Sequence, residues 1–135
     1  MDIAGSVQTI LGRKEIVIRR FYDLFLNRHP EAQPYFQGVN LEHQATLLTM
    51  ALIMIESHYS HSYPATEHYL KVLGHRHHHD AIPPDLFPKF RDCLVETLAE
   101  VHGEEWDDTL QAHWRAAIDK AAGTMLEGYK RPYTF

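Results

Sequence analysis

Three polar side chains stand where helical spacing calls for apolar ones: Tyr22 between Ile18 and Phe25, Gln44 between Leu41 and Leu48, and His77 four residues after Leu73. A polar group buried without a hydrogen bond costs about 1–3 kcal/mol, so each needs a partner or a task. Taken singly, each has an ordinary reading: a core tyrosine bonded to a backbone carbonyl, a half-exposed glutamine near a helix end, a satisfied core histidine. Taken together, one imidazole on one helix and a hydroxyl and an amide facing inward from two others suit a metal centre. The ligand would lie on one side and hydrogen-bond donors on the other.

Eleven histidines are present, and His68, His75, His77, His78 and His79 crowd one stretch. Periodicity separates them. His77 has Leu73 at minus four and Ile82 five residues on, where the chain turns; at minus four His75 has Lys71 and His78 has Gly74, which would leave a metal wet. His79 lies about 200° around a helix from His77 and cannot share its metal if the helix continues. His75, His78 and His79 therefore read as the solvated face of the ligand helix.

The elements that must position these groups are helical throughout, with no sustained β-like alternation. A segment up to Gly12 precedes a helix from about Lys14 to Asn27, whose apolar face carries Ile18, Tyr22 and Phe25 with Phe21 beside it; Pro30 and Pro34 end it. Asn40 is positioned to cap a helix with the stripe Leu41, Ala45, Leu48, Leu52, Ile55. His58 to Pro64 reads as a polar turn, and Thr66 to His77 as a shorter helix with Leu70, Leu73 and His77 on one face. Asp80 to Pro84 breaks the pattern. Asp85 is expected to cap the next helix, with Pro88 in its first turn, Phe87, Phe90, Leu94, Leu98 and Val101 along one side, and Gly103 as its stop. A last helix from roughly Trp106 to Tyr129 carries Leu110, Trp114, Ile118, Ala121 and Met125, and the tail from Lys130 is expected to fray.

At 135 residues, 44% hydrophobic and 23% charged, the chain suits one soluble domain over 1–135. The lone Cys93 reads as a small core residue. A net charge of −5 without a dense basic run argues against nucleic acid or an anionic membrane as partner. Met1 to Gly5 lacks a leader pattern, and the longest apolar run, Leu47 to Ile55, is interrupted by Thr49 and too short to span a bilayer, so cytoplasmic residence is expected.

Phe21-Tyr22 with Leu24-Phe25, His29-Pro30-Glu31 leading to Tyr35-Phe36, Leu41 through Gln44 to Leu48, Leu73-Gly74-His75-Arg76-His77 with Ile82-Pro83, and the Trp114 helix together carry a resemblance. From about Lys14 to Tyr129 the chain resembles the bacterial single-domain globins, Vitreoscilla-type haemoglobins included, whose haem domain also forms the front of flavohaemoglobins. The resemblance implies an all-α globin fold of about six to seven helices around one haem b. It implies His77 as iron ligand, Phe36 wedged against the haem face, Leu73 beneath the porphyrin and Leu48 above the iron, with Ile82 and Phe87 completing the pocket. Tyr22 and Gln44 would be the distal pair, donating hydrogen bonds to bound O₂. A one-residue slip would put His43 there instead; Leu41 and Ala45 on the buried stripe favour Gln44.

Flavohaemoglobin-type domains resemble one another in a proximal Tyr and Glu that push electrons toward the iron; the matching positions here are Phe87 and Tyr129. Nor does a flavin or nicotinamide domain follow within these residues, so a self-contained nitric oxide dioxygenase is not expected. The expected function is reversible binding of O₂, and of CO and NO, for storage, delivery or buffering, with no catalytic residues, by a monomer or weak dimer. The alternative is a nitric oxide dioxygenase or other haem redox enzyme using a separate reductase. A third is a helical bundle holding a non-haem metal through the His75 to His79 cluster, for which Glu67 with His68 supplies a poor carboxylate and histidine pairing.

Overall fold

The computed structural model describes residues 1–130. Among them are six α-helices, α1 (Ile3–Gly12), α2 (Lys14–Arg28), α3 (Leu41–Ser60), α4 (Pro64–His79), α5 (Leu86–His102) and α6 (Asp108–Gly128), with 3-10 turns at Pro30–Phe36 and Gly103–Glu105 and no strand. No helix among the described residues is long and apolar enough to cross a membrane. Beyond Lys130 itself, the tail expected to fray lies outside the described residues.

Residues 1–12, which sequence periodicity leaves unassigned, form α1. The Asp2 carboxylate accepts from the Gly5 N–H at 2.8 Å, and Ile3, Val7 and Ile10 recur at helical spacing on its buried face. α2 buries the expected Ile18, Phe21, Tyr22 and Phe25. It ends before Pro30, which opens the 3-10 turn that carries Phe36.

Asn40 caps α3 as expected, its side chain accepting from the N–H groups of Glu42 and His43 at 2.8 and 3.2 Å. Leu48, Leu52 and Ile55 are buried. Leu41 is not: it is 59% exposed, and its neighbours Glu42 and His43 in the first turn of α3 are exposed too, so the stripe meets the core only from Gln44 onward. The expected turn at His58 is also corrected, since α3 continues to Ser60 with His58 buried. The reason lies on α6: Thr124 Oγ1 sits 3.0 Å from His58 Nε2, and Lys120 Nζ donates to the His58 carbonyl at 2.8 Å and to the Ser62 hydroxyl.

α4 begins at Pro64, in the tolerated first helical position, and runs past His77 to His79. It closes in a Schellman arrangement, with Ile82 N–H on the His77 carbonyl and Ala81 N–H on the His78 carbonyl, both at 3.0 Å. Ala81 takes the left-handed conformation, φ 60°, that glycine usually supplies. α4 and α6 approach backbone to backbone at Gly74 and Gly128, where an added Cβ would overlap the Met125 carbonyl and the Lys71 carbonyl respectively.

Asp85 precedes α5 but makes no capping bond; its carboxylate pairs with Lys89 at 3.4 Å instead. Leu94 and Leu98 are buried as expected, as is Cys93, and Gly103 ends the helix at φ 59°. α6 starts two residues later than expected, because Asp107 caps it through the Leu110 N–H at 2.7 Å. In the assembled fold α2 packs on α5, α3 and α4 pack on α6, and α5 and α6 meet between them.

Candidate metal and ligand site

His77 is half-buried on α4, and its Nδ1 lies 2.8 Å from the Leu73 carbonyl one turn back. A carbonyl can only accept, so the proton sits on Nδ1 and the neutral ring keeps its lone pair on Nε2. Burial pushes the His77 pKa below the ordinary histidine value, against smaller opposing effects of the Leu73 bond and Asp80, which favours this neutral form. A neutral imidazole with a free Nε2, its other nitrogen fixed by a backbone acceptor, is the state a metal ligand requires.

The surroundings of that ring are apolar and aromatic. Phe87 on α5 meets His77 edge-on with ring centres 6.3 Å apart, and Tyr129 stands edge-on to Phe87 at 5.9 Å. Tyr129 donates its hydroxyl proton to the Ile82 carbonyl at 2.8 Å. The Schellman closure brings Ile82 back beside His77, so the adjacency expected from sequence has a backbone cause. Tyr35 ties the same turn down by donating to the Ala81 carbonyl at 3.2 Å.

Tyr22 is 8% exposed on α2, edge-on to Phe36 at 5.4 Å and to Phe21 at 5.1 Å. Its hydroxyl makes no hydrogen bond with the described residues, so the core-tyrosine reading with a carbonyl partner does not hold. Burial pushes its pKa up to about 12, so the phenol stays protonated and remains a donor. On α3, Gln44 is half-buried and His43 exposed, which favours Gln44 although Leu41 no longer supports that register. Leu48 is buried; Phe36, Leu73, Ile82 and Phe87 are half-buried.

The fold thus brings Tyr22 to Phe36 and His77 to Phe87 and Ile82, while Tyr22 and Gln44 share no direct bond. Helix continuity to His79 puts that ring on the far side of α4 from His77. His75 and His79, with Arg76 and Asp80, line a separate cleft of about 300 Å³. No group of three or more metal-binding side chains occurs among the described residues. A donor set of one free imidazole nitrogen, apolar walls and the unspent hydroxyl of a buried tyrosine fits a haem.

Sequence reasoning missed two polar assemblies, one buried and one partly buried. Trp114 Nε1 donates to Ser6 Oγ at 2.9 Å, Ser6 lies 2.7 Å from His102 Nε2, and His102 Nδ1 donates to the Leu98 carbonyl at 2.7 Å. The second joins His58, Thr124 and Lys120. The signal was present in part: His58 and His102 extend their helices' buried stripes by three and four residues from Ile55 and Leu98.

Residues 19–125 match the Globin family. The chain is similar to the flavohemoprotein of Bacillus thuringiensis subsp. konkukian, 26% identical over 128 residues that cover 93% of this chain and 31% of that protein. It is also similar to the flavohemoprotein of Halalkalibacterium halodurans, 21% identical over 133 residues covering 97% of this chain and 32% of the relative. The chain spans about a third of the length of the curated relatives it matches.

Proposed function

This chain belongs to the globin family, and on that premise we propose that it is a haem protein that binds O₂, and other diatomic gases, reversibly. The observation that carries the reading is the proton on His77 Nδ1. It goes to the neutral Leu73 carbonyl at 2.8 Å, with Phe87 at the ring's side and the Tyr129 hydroxyl committed to the Ile82 carbonyl. A carboxylate partner would give the imidazole anionic character and favour O–O cleavage; a carbonyl does so far less.

When bound, haem supplies an iron that takes up a diatomic gas reversibly. His77 offers Nε2 as its protein ligand, and the Leu73 bond fixes the ring's tautomer and orientation. Phe36, Leu48, Leu73, Ile82 and Phe87 keep water out. Tyr22 and Gln44 offer donors to a gas that carries partial negative charge, and in a dry pocket such donors count for more than in water. Haem b and residence in the cytoplasm belong to the same proposal.

The test is O₂ release from the ferrous protein. Tyr22→Phe and Gln44→Leu each accelerate dissociation by at least about tenfold if one charge-assisted bond of roughly 1.4 kcal/mol or more is lost. Parental rates in both variants would overturn the distal assignment, and the lack of a Soret band after haem-replete expression would overturn the haem reading. The likeness to flavohemoproteins favours a second reading, oxidation of nitric oxide with electrons from a separate reductase. Sustained turnover of nitric oxide with added reductase supports it; stalling in the ferric state refutes it.

A further inference from the structure

We propose that His75 and His79 form a two-imidazole clamp for one divalent transition-metal ion on the outer face of α4, separate from the position of His77. The two rings stand four residues apart on a helix that is unbroken through His79. That spacing puts their Cβ atoms about 5–6 Å apart on one face, within reach of a shared ion, as in helical zinc motifs with two histidines at this offset. Both line the same cleft of about 300 Å³.

The two rings are also uncommitted. Neither makes a hydrogen bond, ion pair or ring contact with the described residues, whereas His58 bonds Thr124, His78 lies against Tyr129 at 5.0 Å and His61 stacks on Tyr63 at 5.1 Å. The cleft's chemistry favours a cation. It lies at the C-terminal end of α4, where the helix dipole is negative, and Asp80 adds a carboxylate. The backbone N–H groups of Asp80, Ala81 and Ile82 are all spent on α4 carbonyls, so no donor nest is left for an anion.

Arg76 lines the cleft too and opposes a cation, and the pair forms no three-ligand group with Asp80 or any other side chain among the described residues, so Asp80 contributes charge and not a ligand. The clamp is therefore an open, exchangeable site completed by water, and imidazole ligands select Cu²⁺, Ni²⁺ or Zn²⁺ over Mg²⁺ or Ca²⁺.

Calorimetric titration of the purified full chain with Zn²⁺ tests this. The parent takes up one ion at its tightest site; His75→Gln and His79→Gln each weaken that site by roughly tenfold or more, and the double variant abolishes it. His78→Gln, on the neighbouring face, leaves it unchanged. Parental affinity in the double variant, or no uptake by the parent, would overturn the proposal. Far-UV circular dichroism checks that each variant keeps its helices. His77 is intact in every variant, so failure here is independent of failure of the haem reading.

Discussion

At His77 the direction of one proton sets what the ring can do. With Nδ1–H on a backbone carbonyl, the imidazole is neutral and oriented, and Nε2 is the nitrogen left to ligate. The same accounting leaves His58 in deficit. Thr124 donates its hydroxyl proton to the Lys120 carbonyl at 3.1 Å, so it accepts from His58 Nε2–H, and Nδ1 is buried with no partner. Burial first, then the Lys120 charge, lowers the His58 pKa from the ordinary 6.5, with Glu67 opposing. As pH falls through that ordinary value, the unfolded chain takes up a proton that the folded one refuses, so stability present above it is lost below. His58→Gln keeps a donor for Thr124 but cannot titrate. Its urea midpoint should therefore fall less steeply between about pH 7 and 5 than the parent's; equal slopes would refute the assignment.

At the scale of elements, α4 is the helix that matters, and its neighbour α6 holds it where it is. Gly74 and Gly128 let the two backbones touch, and the obstacle to a Cβ at either place is main chain, which cannot rotate away. Helix propensity alone says that Gly74→Ala stabilises by about 1 kcal/mol. The clash outweighs it: overpacking against an unyielding neighbour costs about 1–3 kcal/mol and sometimes more. Gly74→Ala should therefore lower the chemical denaturation midpoint, and a rise in the midpoint would show that α4 and α6 can part without cost. The closure of α4 depends on tertiary context in the same way. Asp80 to Pro84 reads as a break, but only the fold shows a Schellman turn completed by Ala81 and tied down by Tyr35.

For the whole molecule, the chain Trp114, Ser6, His102, Leu98 fastens α1 to α5 and α6. All three side chains are buried, so each bond is made away from competing water. Ser6→Ala removes one oxygen and leaves two buried ring nitrogens unpartnered. At about 1–3 kcal/mol for each stranded group, the loss should be roughly 2 kcal/mol or more, well above the cost of so small a void. Guanidinium unfolding measures it; a change under about 0.5 kcal/mol would mean that α1 contributes little to the cooperative unit.

The helices, their main stripes, the Asn40 cap, the Gly103 stop and the burial of Tyr22 were legible in the sequence, because each is decided by neighbours within two turns. Tertiary structure alone decided that Leu41 lies outside the stripe, that α3 runs on through His58, and that residues 1–12 are a packed helix. It also decided the distant partners of His58, His102 Nε2 and Trp114. The partners concerned are 66 residues apart for His58 and Thr124, 96 for Ser6 and His102, and 108 for Ser6 and Trp114. Periodicity registers a residue's place on its own helix; whether a polar group there is satisfied depends on what another helix presents to it.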